Sequence, residues 1–205
     1  SRTYVNKILN KISGEHYKNY KINLIKRHKE NIEIFYGEKN EFFVYDKVVV
    51  ATHADEALSI LEKPTDEEKN LLSNFKYKSN LAIIHTDQNQ MPRNKKAWSA
   101  WNAKLNKNVR ENSSITYWLN LLQNLKIDED IFLSLNPFDK IEEKKILNKV
   151  TFTHPYYDKL ALENQARLKK IQNVNNTLFC GSYFGYGFHE DGITSTIDML
   201  KSFHD

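Results

Sequence analysis

Cysteine occurs once in the 205 residues, as Cys180, so no intrachain disulfide framework and no multi-cysteine metal site can be built. Its place at the end of an apolar run suits a small buried hydrophobe. Methionine is used twice, proline four times and glycine six times, so neither a low-complexity linker nor a collagen-like or Pro-rich segment is present. No stretch approaches the roughly 18 consecutive apolar residues of a membrane helix, and no charged-then-apolar leader precedes the first helical pattern, so a cytoplasmic protein is expected. Charge of one sign is also missing. Thirty Lys and Arg stand against 26 Asp and Glu, a net +4, and the two signs alternate within 62–69 and 139–145 as on solvated helix faces. Nucleic-acid binding calls for a one-sided basic stripe interleaved with aromatics, so no nucleic-acid partner is expected. Nor does a Gly-x-Gly-x-x-Gly turn occur.

What is present is enough apolar material for a core: 40% hydrophobic and 12% aromatic residues. Val5, Ile8, Leu9 and Ile12 follow helical spacing, which Gly14 ends. Three short strands are predicted over 21–26, 31–36 and 41–45, separated by Gly37 and polar turns. The continuous apolar run Val48-Val-Val-Ala51 suits a parallel strand buried on both faces. After Pro64, Thr65-Asp66-Glu67-Glu68 reads as a capping box opening a helix through Phe75. Strand patterns recur at 80–85, 97–101, 114–119, 131–135 and 149–153, a second, antiparallel-type sheet. A helix over 156–171 would turn Leu160, Ala161, Leu168 and Ile171 inward.

Four of the six glycines fall in Cys180-Gly181-Ser182-Tyr183-Phe184-Gly185-Tyr186-Gly187-Phe188-His189-Glu190-Asp191-Gly192, between an apolar strand pattern and a helical one. A strand, glycine turn and helix start let backbone approach a ligand closely and present free N–H groups to it. This segment resembles the C-terminal flavin-binding signature of bacterial FAD-dependent oxidoreductases of the flavin-containing amine oxidase superfamily, in their NAD/FAD-binding protein subgroup. The run Asp46 to Leu58 is similar to that family's internal strand beside the flavin. The blocks 81–87, Met91-Pro92, 97–102, 115–120, Leu135-Asn136-Pro137 and His154-Pro155 follow in the family's order, so nearly the whole chain is covered.

The resemblance implies an α/β fold of mixed α+β character: an incomplete FAD/NAD(P)-binding-type cofactor part, residues 1–58 and 176–205, interrupted by a mixed antiparallel β-sheet substrate part, residues 59–175. The family's opening strand, GxGxxG turn and helix hold the ADP half of FAD. Their absence, with a start at Ser1-Arg2-Thr3-Tyr4, implies a piece of a longer flavoprotein whose partner is a missing N-terminal dinucleotide-binding segment. FAD is the implied cofactor. Gly181, Ser182, Gly187, Asp191, Gly192 and Ile193 are the implied flavin neighbours, joined by Ala51 and Thr52 at the central strand and Ile22 near the adenine. Where many relatives carry an acid after the first glycine, Ser182 stands here. Core packing alone would equally explain Ile22, Ala51 and Thr52, and helix capping would equally explain Asp191.

His189 is a candidate proton carrier, because imidazole titrates near neutrality. Three ionisable residues in a row, His189-Glu190-Asp191, would be costly to bury without partners. Trp98, Trp101, Tyr117 and Tyr186 are candidate walls of an apolar substrate pocket, although any one of them fits ordinary core as well. The expected activity is hydride transfer between flavin and a hydrophobic, lipid-like or fatty-acyl small molecule, the flavin supplying the chemistry and the protein its position. Two other readings stand beside it. One is a non-catalytic flavoprotein fragment or interaction module. The other is a metal-dependent hydrolase built on the His-x-Asp pairs His53/Asp55, His85/Asp87 and His189/Asp191, whereas the flavin reading needs no metal.

Overall fold

In the computed structural model, described for residues 2–38, 41–105 and 113–203, the chain forms two compact units. The first comprises residues 1–75 and 157–205, the second residues 76–156. Among the described residues no helix is long and apolar enough to cross a membrane.

The first unit opens with helix α1, Arg2–Leu9, and a three-stranded antiparallel meander of β1, Ile22–Arg27, β2, Ile32–Tyr36, and β3, Glu41–Tyr45. Alternation puts Ile25 and Ile32 into the core, at 2% and 0% exposure, while the β3 residues Phe42 and Val44 stay exposed on the other face. Strand β4, Val48–Val50, pairs in parallel with β10, Thr177–Phe179, in the register Val48–Thr177, Val49–Leu178 and Val50–Phe179. Thr177, Leu178 and Phe179 are completely buried. Burying Leu178 and Phe179 contributes about 1.5–3 kcal/mol each. Cys180 is buried as well, in a cluster with Leu178 and Met199 against which Phe203 packs.

Two short helices follow β4: α2, Ala54–Ile60, which the sequence reading did not separate from the strand, and α3, Asp66–Leu72. The capping box of α3 forms as the sequence leads one to expect: Glu68 N donates to Thr65 Oγ1 at 3.2 Å and Thr65 N to Glu68 Oε2 at 2.7 Å. The same carboxylate is fully buried and receives Arg27 in a two-pronged pair at 2.5 and 2.9 Å, tying β1 to α3. In place of one helix over 156–171 there are α5, Lys159–Gln165, and a separate 3₁₀ turn, Leu168–Ile171. Asp158 caps α5 through Ala161 N, and the break turns Leu160 outward, at 47% exposure, while Ala161, Leu168 and Ile171 are buried. The unit ends in α6, His189–Lys201.

The second unit is a five-stranded antiparallel sheet in the order β6-β7-β8-β5-β9, from β5, Lys76–His85, β6, Trp101–Leu105, β7, Ser113–Trp118, β8, Phe132–Leu135, and β9, Ile146–Tyr156. The single turn α4, Leu119–Leu122, follows β7. Residues 97–101 are not a strand except for Trp101, because Asn94 caps a 3₁₀ turn over Lys95–Ala97. Strand β9 reaches Tyr156, so the expected helix start there is also displaced.

Candidate functional site

Two parallel strands end side by side at the site. Cys180 N donates to Val50 O at 3.2 Å, and a Cβ placed on Gly181 would lie 3.6 Å from Thr52 O. Ala51 and Thr52 are exposed at this end. The carboxyl ends of neighbouring parallel strands are where open α/β sheets bind ligands. Gly181 adopts φ 154, and a side chain there would strike the Tyr183 ring at 2.9 Å. Only glycine carries the chain out of β10 in this direction.

The loop between Gly181 and α6 is braced from three directions. Gln165 Nε2 donates to Tyr183 O at 3.2 Å and to Gly185 O at 2.5 Å. Tyr157 donates to Ser182 O at 3.4 Å, its phenol pushed up to about 12 by burial and then by the charge of Asp191. Asp191 Oδ2 accepts from Tyr186 N at 3.0 Å and from Phe188 N at 2.8 Å. A Cβ on Gly185 would collide with the Asp191 carboxylate, so Gly185 and Asp191 fit each other as a set. Asp191 thus caps α6 and holds the glycine turn.

Gly192 differs from both of those glycines. A Cβ built there would meet Ser182 N at 3.9 Å, an ordinary van der Waals contact, so neither a clash nor a positive φ demands glycine at this position. A groove of about 450 Å³ lies beside these two residues, walled by Ser182, Gly187, Gly192 and Ile193 of the loop and helix and by Tyr4 and Ile8 of α1. Backbone donors at a helix start and apolar walls suit the pyrimidine edge of a flavin. Gly192 and the Ser182 amide stand side by side on the wall of this groove, so a flat ring would lie against them, and the residues present fit such a group.

The sequence candidates therefore fall into three sets. Gly181, Ser182, Gly187, Asp191, Gly192, Ile193, Ala51 and Thr52 are close together at the strand ends and α6. His189 lines the same groove at the first position of α6, and it and Glu190 are exposed, so the burial cost foreseen for this triplet does not arise. Tyr186 is 70% exposed next to them. Ile22 lies at a bulge in the meander opposite Tyr36, outside the walls of the groove. The tryptophans separate within the second unit. Trp101 and Tyr117 are cross-strand partners with rings 5.0 Å apart on the open face of the sheet. Trp98 packs edge-on against Trp118 and Phe132 on the opposite face, its Nε1 donating to Pro92 O.

The His-x-Asp pairs do not assemble, and among the described residues no three His, Cys, Asp or Glu are placed to hold a metal. His85 and Asp87 are buried, at 0% and 1% exposure. Asp87 N donates to His85 Nδ1 at 3.1 Å, which puts the ring proton on Nε2 and makes it the donor to Ser134 Oγ at 2.8 Å. Ser134 continues to Thr116 Oγ1 at 2.7 Å. In this tautomer His85 cannot take the Ser134 proton, so the relay is not an activated nucleophile. Burial lowers the His85 pKa to about 4 against an opposing pull from Asp87. Burial also pushes the Asp87 carboxyl up, but the Glu142 and Asn89 amides and Lys145 outweigh it and hold it below its usual value. Sequence reasoning missed this relay and the Arg27–Glu68 pair, because serine, threonine and arginine partners on separate strands leave no local spacing signal.

No protein-family profile and no curated protein sequence matches the chain. Its fold is shared with solved structures. A CLA-producing fatty acid isomerase from P. acnes superposes with TM-score 0.67 at 13% identity, over 100% of this chain and 52% of that one. A putative protoporphyrinogen oxidase from Exiguobacterium sp. 255-15 gives 0.67 at 10% identity, over 98% and 50%. A putrescine oxidase variant gives 0.62 at 8% identity, over 98% and 52%. The chain thus spans about half the length of these proteins, and at such identities the likeness is one of fold: the mixed α/β architecture of an FAD-binding oxidase, in part.

Proposed function

We propose that the chain is the C-terminal part of an FAD-dependent oxidoreductase of the amine-oxidase-like class, acting on a hydrophobic, fatty-acyl-type substrate in the cytoplasm. The fatty acid isomerase among the structures of like fold supports that substrate class. The observation that carries the reading is the groove walled by Ser182, Gly187, Gly192 and Ile193, where backbone without side chains and the start of α6 come together just after β10. Residues 1–58 and 176–205 serve the cofactor and residues 59–175 the substrate, with the dinucleotide-binding strand, turn and helix supplied from outside this sequence.

In this reading the bound flavin supplies hydride transfer. Ser182 N and the first amides of α6 stabilise negative charge at the pyrimidine edge, where the helix dipole adds to them. Gly187 and Gly192 would leave room for the ring, Gly181 turns the chain out of β10 toward it, and Ala51, Thr52 and Ile193 would border it. Asp191 keeps the loop in register through the Tyr186 and Phe188 amides. His189, at the groove rim, exchanges protons with the solvent side. Trp101 and Tyr117 contact substrate.

The test is flavin retention in the longer protein. Gly192→Val fills the cradle with two methyl groups while leaving the α6 fold intact, so the purified variant is expected to lose the flavin absorbance bands of the parent. Full flavin content in the variant would overturn the placement.

A further inference from the structure

The register of the second unit divides its side chains cleanly. One face carries His85, Ser134 and Thr116 into a closed core. The other carries Ala82, Ile84, Leu133, Leu135, Ile115 and Tyr117, then the exposed Val150, Phe152, Trp101 and Leu105 at its margins. No carboxylate stands at any described position of this face. Its lysines stand at one end. Lys78 and His154 are cross-strand partners, and Lys78 Nζ sits 3.9 Å over the ring of Tyr156. Apolar, wide and open, with positive charge at a single corner, the face is complementary to an anion carried on a long apolar body.

That corner is built rather than incidental. Strand β8 stops at Leu135, its register with β5 begins at Ala82, and the chain turns away through Asn136 at φ 48, which bonds to Leu81. A cavity of about 590 Å³ fills the notch, within the usual range for small-molecule sites. Lys78, Asn80, Ile115, Leu135 and Phe138 line it, and His154 stands next to it as the cross-strand partner of Lys78. Asn136 Nδ2 donates to Asn80 Oδ1 at 2.7 Å, and Asn80 Nδ2 donates to Lys78 O at 3.1 Å and to His154 Nδ1 at 3.0 Å. Both amide ends of Asn80 are thereby fixed. His154 must accept at Nδ1, which leaves its proton on Nε2 as a donor on the same open face as the Lys78 ammonium.

We infer that this notch binds the carboxylate of a long-chain acid, with Lys78 and His154 Nε2 as its donors, Asn80 and Asn136 positioning the imidazole, and the acyl chain lying on the apolar strands. The inference rests on the reading of residues 59–175, which contain this unit, as the substrate part and adds to it the end of the substrate that is held. A monomeric acid is favoured over a bilayer surface because the cation lines a walled notch.

The 205-residue chain, free of flavin, is titrated with hexadecanoate, 1-hexadecanol and hexadecyltrimethylammonium below their aggregation limits, and Trp emission reads binding. Hexadecanoate is expected to bind saturably and at least about tenfold tighter than the other two, a difference of about 1.4 kcal/mol. Lys78→Glu, at an exposed position, should remove that preference without changing the far-UV circular dichroism. His154→Gln should weaken hexadecanoate binding, and with [1-¹³C]hexadecanoate the bound carboxyl resonance should shift. Equal binding of acid and alcohol, an unchanged preference in Lys78→Glu, no monomer binding, or binding to phosphatidylglycerol vesicles alone would each overturn the inference. None of these results bears on flavin retention in the longer protein, so the two readings fail separately.

Discussion

The spacing His-x-Asp occurs at His85/Asp87 and at His189/Asp191, and the two places put it to opposite use. In the second unit the pair lies at the end of β5 under a packed sheet, where every polar atom is matched: His85 between Asp87 N and Ser134, Asp87 among the Glu142 and Asn89 amides and Lys145. In the first unit the pair opens a helix. His189 is exposed, and Asp191 folds back on the turn before it. A two-residue spacing fixes neither role. What decides is the element that follows: a strand exit covered by other strands closes the pair off, while a helix start leaves the histidine in a groove and recruits the carboxylate as a cap.

This contrast can be broken, beginning at its strong end. Asp87→Ala leaves the Asn89 and Glu142 amides without this acceptor, removes one of the two carboxylates paired with Lys145 and empties a buried site, so urea denaturation at pH 7 is expected to show a loss of about 3 kcal/mol. The His85 contribution should appear as a pH dependence. Its folded-state pKa, about 4, lies below the unfolded 6.5, so the unfolded chain binds more protons between these values and stability falls with acidification across that window. The full effect is about 3 kcal/mol, present above pH 6.5 and lost by about pH 4, with Asp87 adding a further loss below the ordinary carboxyl value of 3.8. His85→Gln should flatten the first window and leave the second; an unchanged slope would contradict the buried neutral ring.

The first unit should respond less in stability. Asp191→Ala is expected to cost about 1 kcal/mol, the usual cost of losing a helix cap, and to raise hydrogen exchange at the Tyr186 and Phe188 amides. His189→Ala, at an exposed position, should change stability by less than about 0.5 kcal/mol. If His189→Ala proved as damaging as Asp87→Ala, the two pairs would not differ in kind.

Much of the fold was legible because its signals are local. The meander follows from three short alternating runs closed by Gly37 and polar turns, β4 from three valines, and α3 from Thr65 and Glu68, four residues that carry both halves of a capping box. The elements misread are those where a polar residue overrides an apolar pattern: Asp158 restarts the helix that periodicity began at 156, and Asn94 replaces the start of a strand by a 3₁₀ turn. The candidate site was legible in the same degree. The glycines and the helix start are contiguous in sequence, whereas Asn80, Asn136 and His154 belong to three different segments and meet only through sheet register.

By itself the sequence determined which segments could be strands and which glycine-rich turn could expose backbone. The tertiary structure decided which histidine is sealed and which is accessible, that Gly185 is filled by Asp191 while Gly192 stays open, and which tryptophan faces the core. The physical reason is one of range: propensity and capping act within about four residues, but burial and hydrogen-bond partnership are set by strands that pair across the chain.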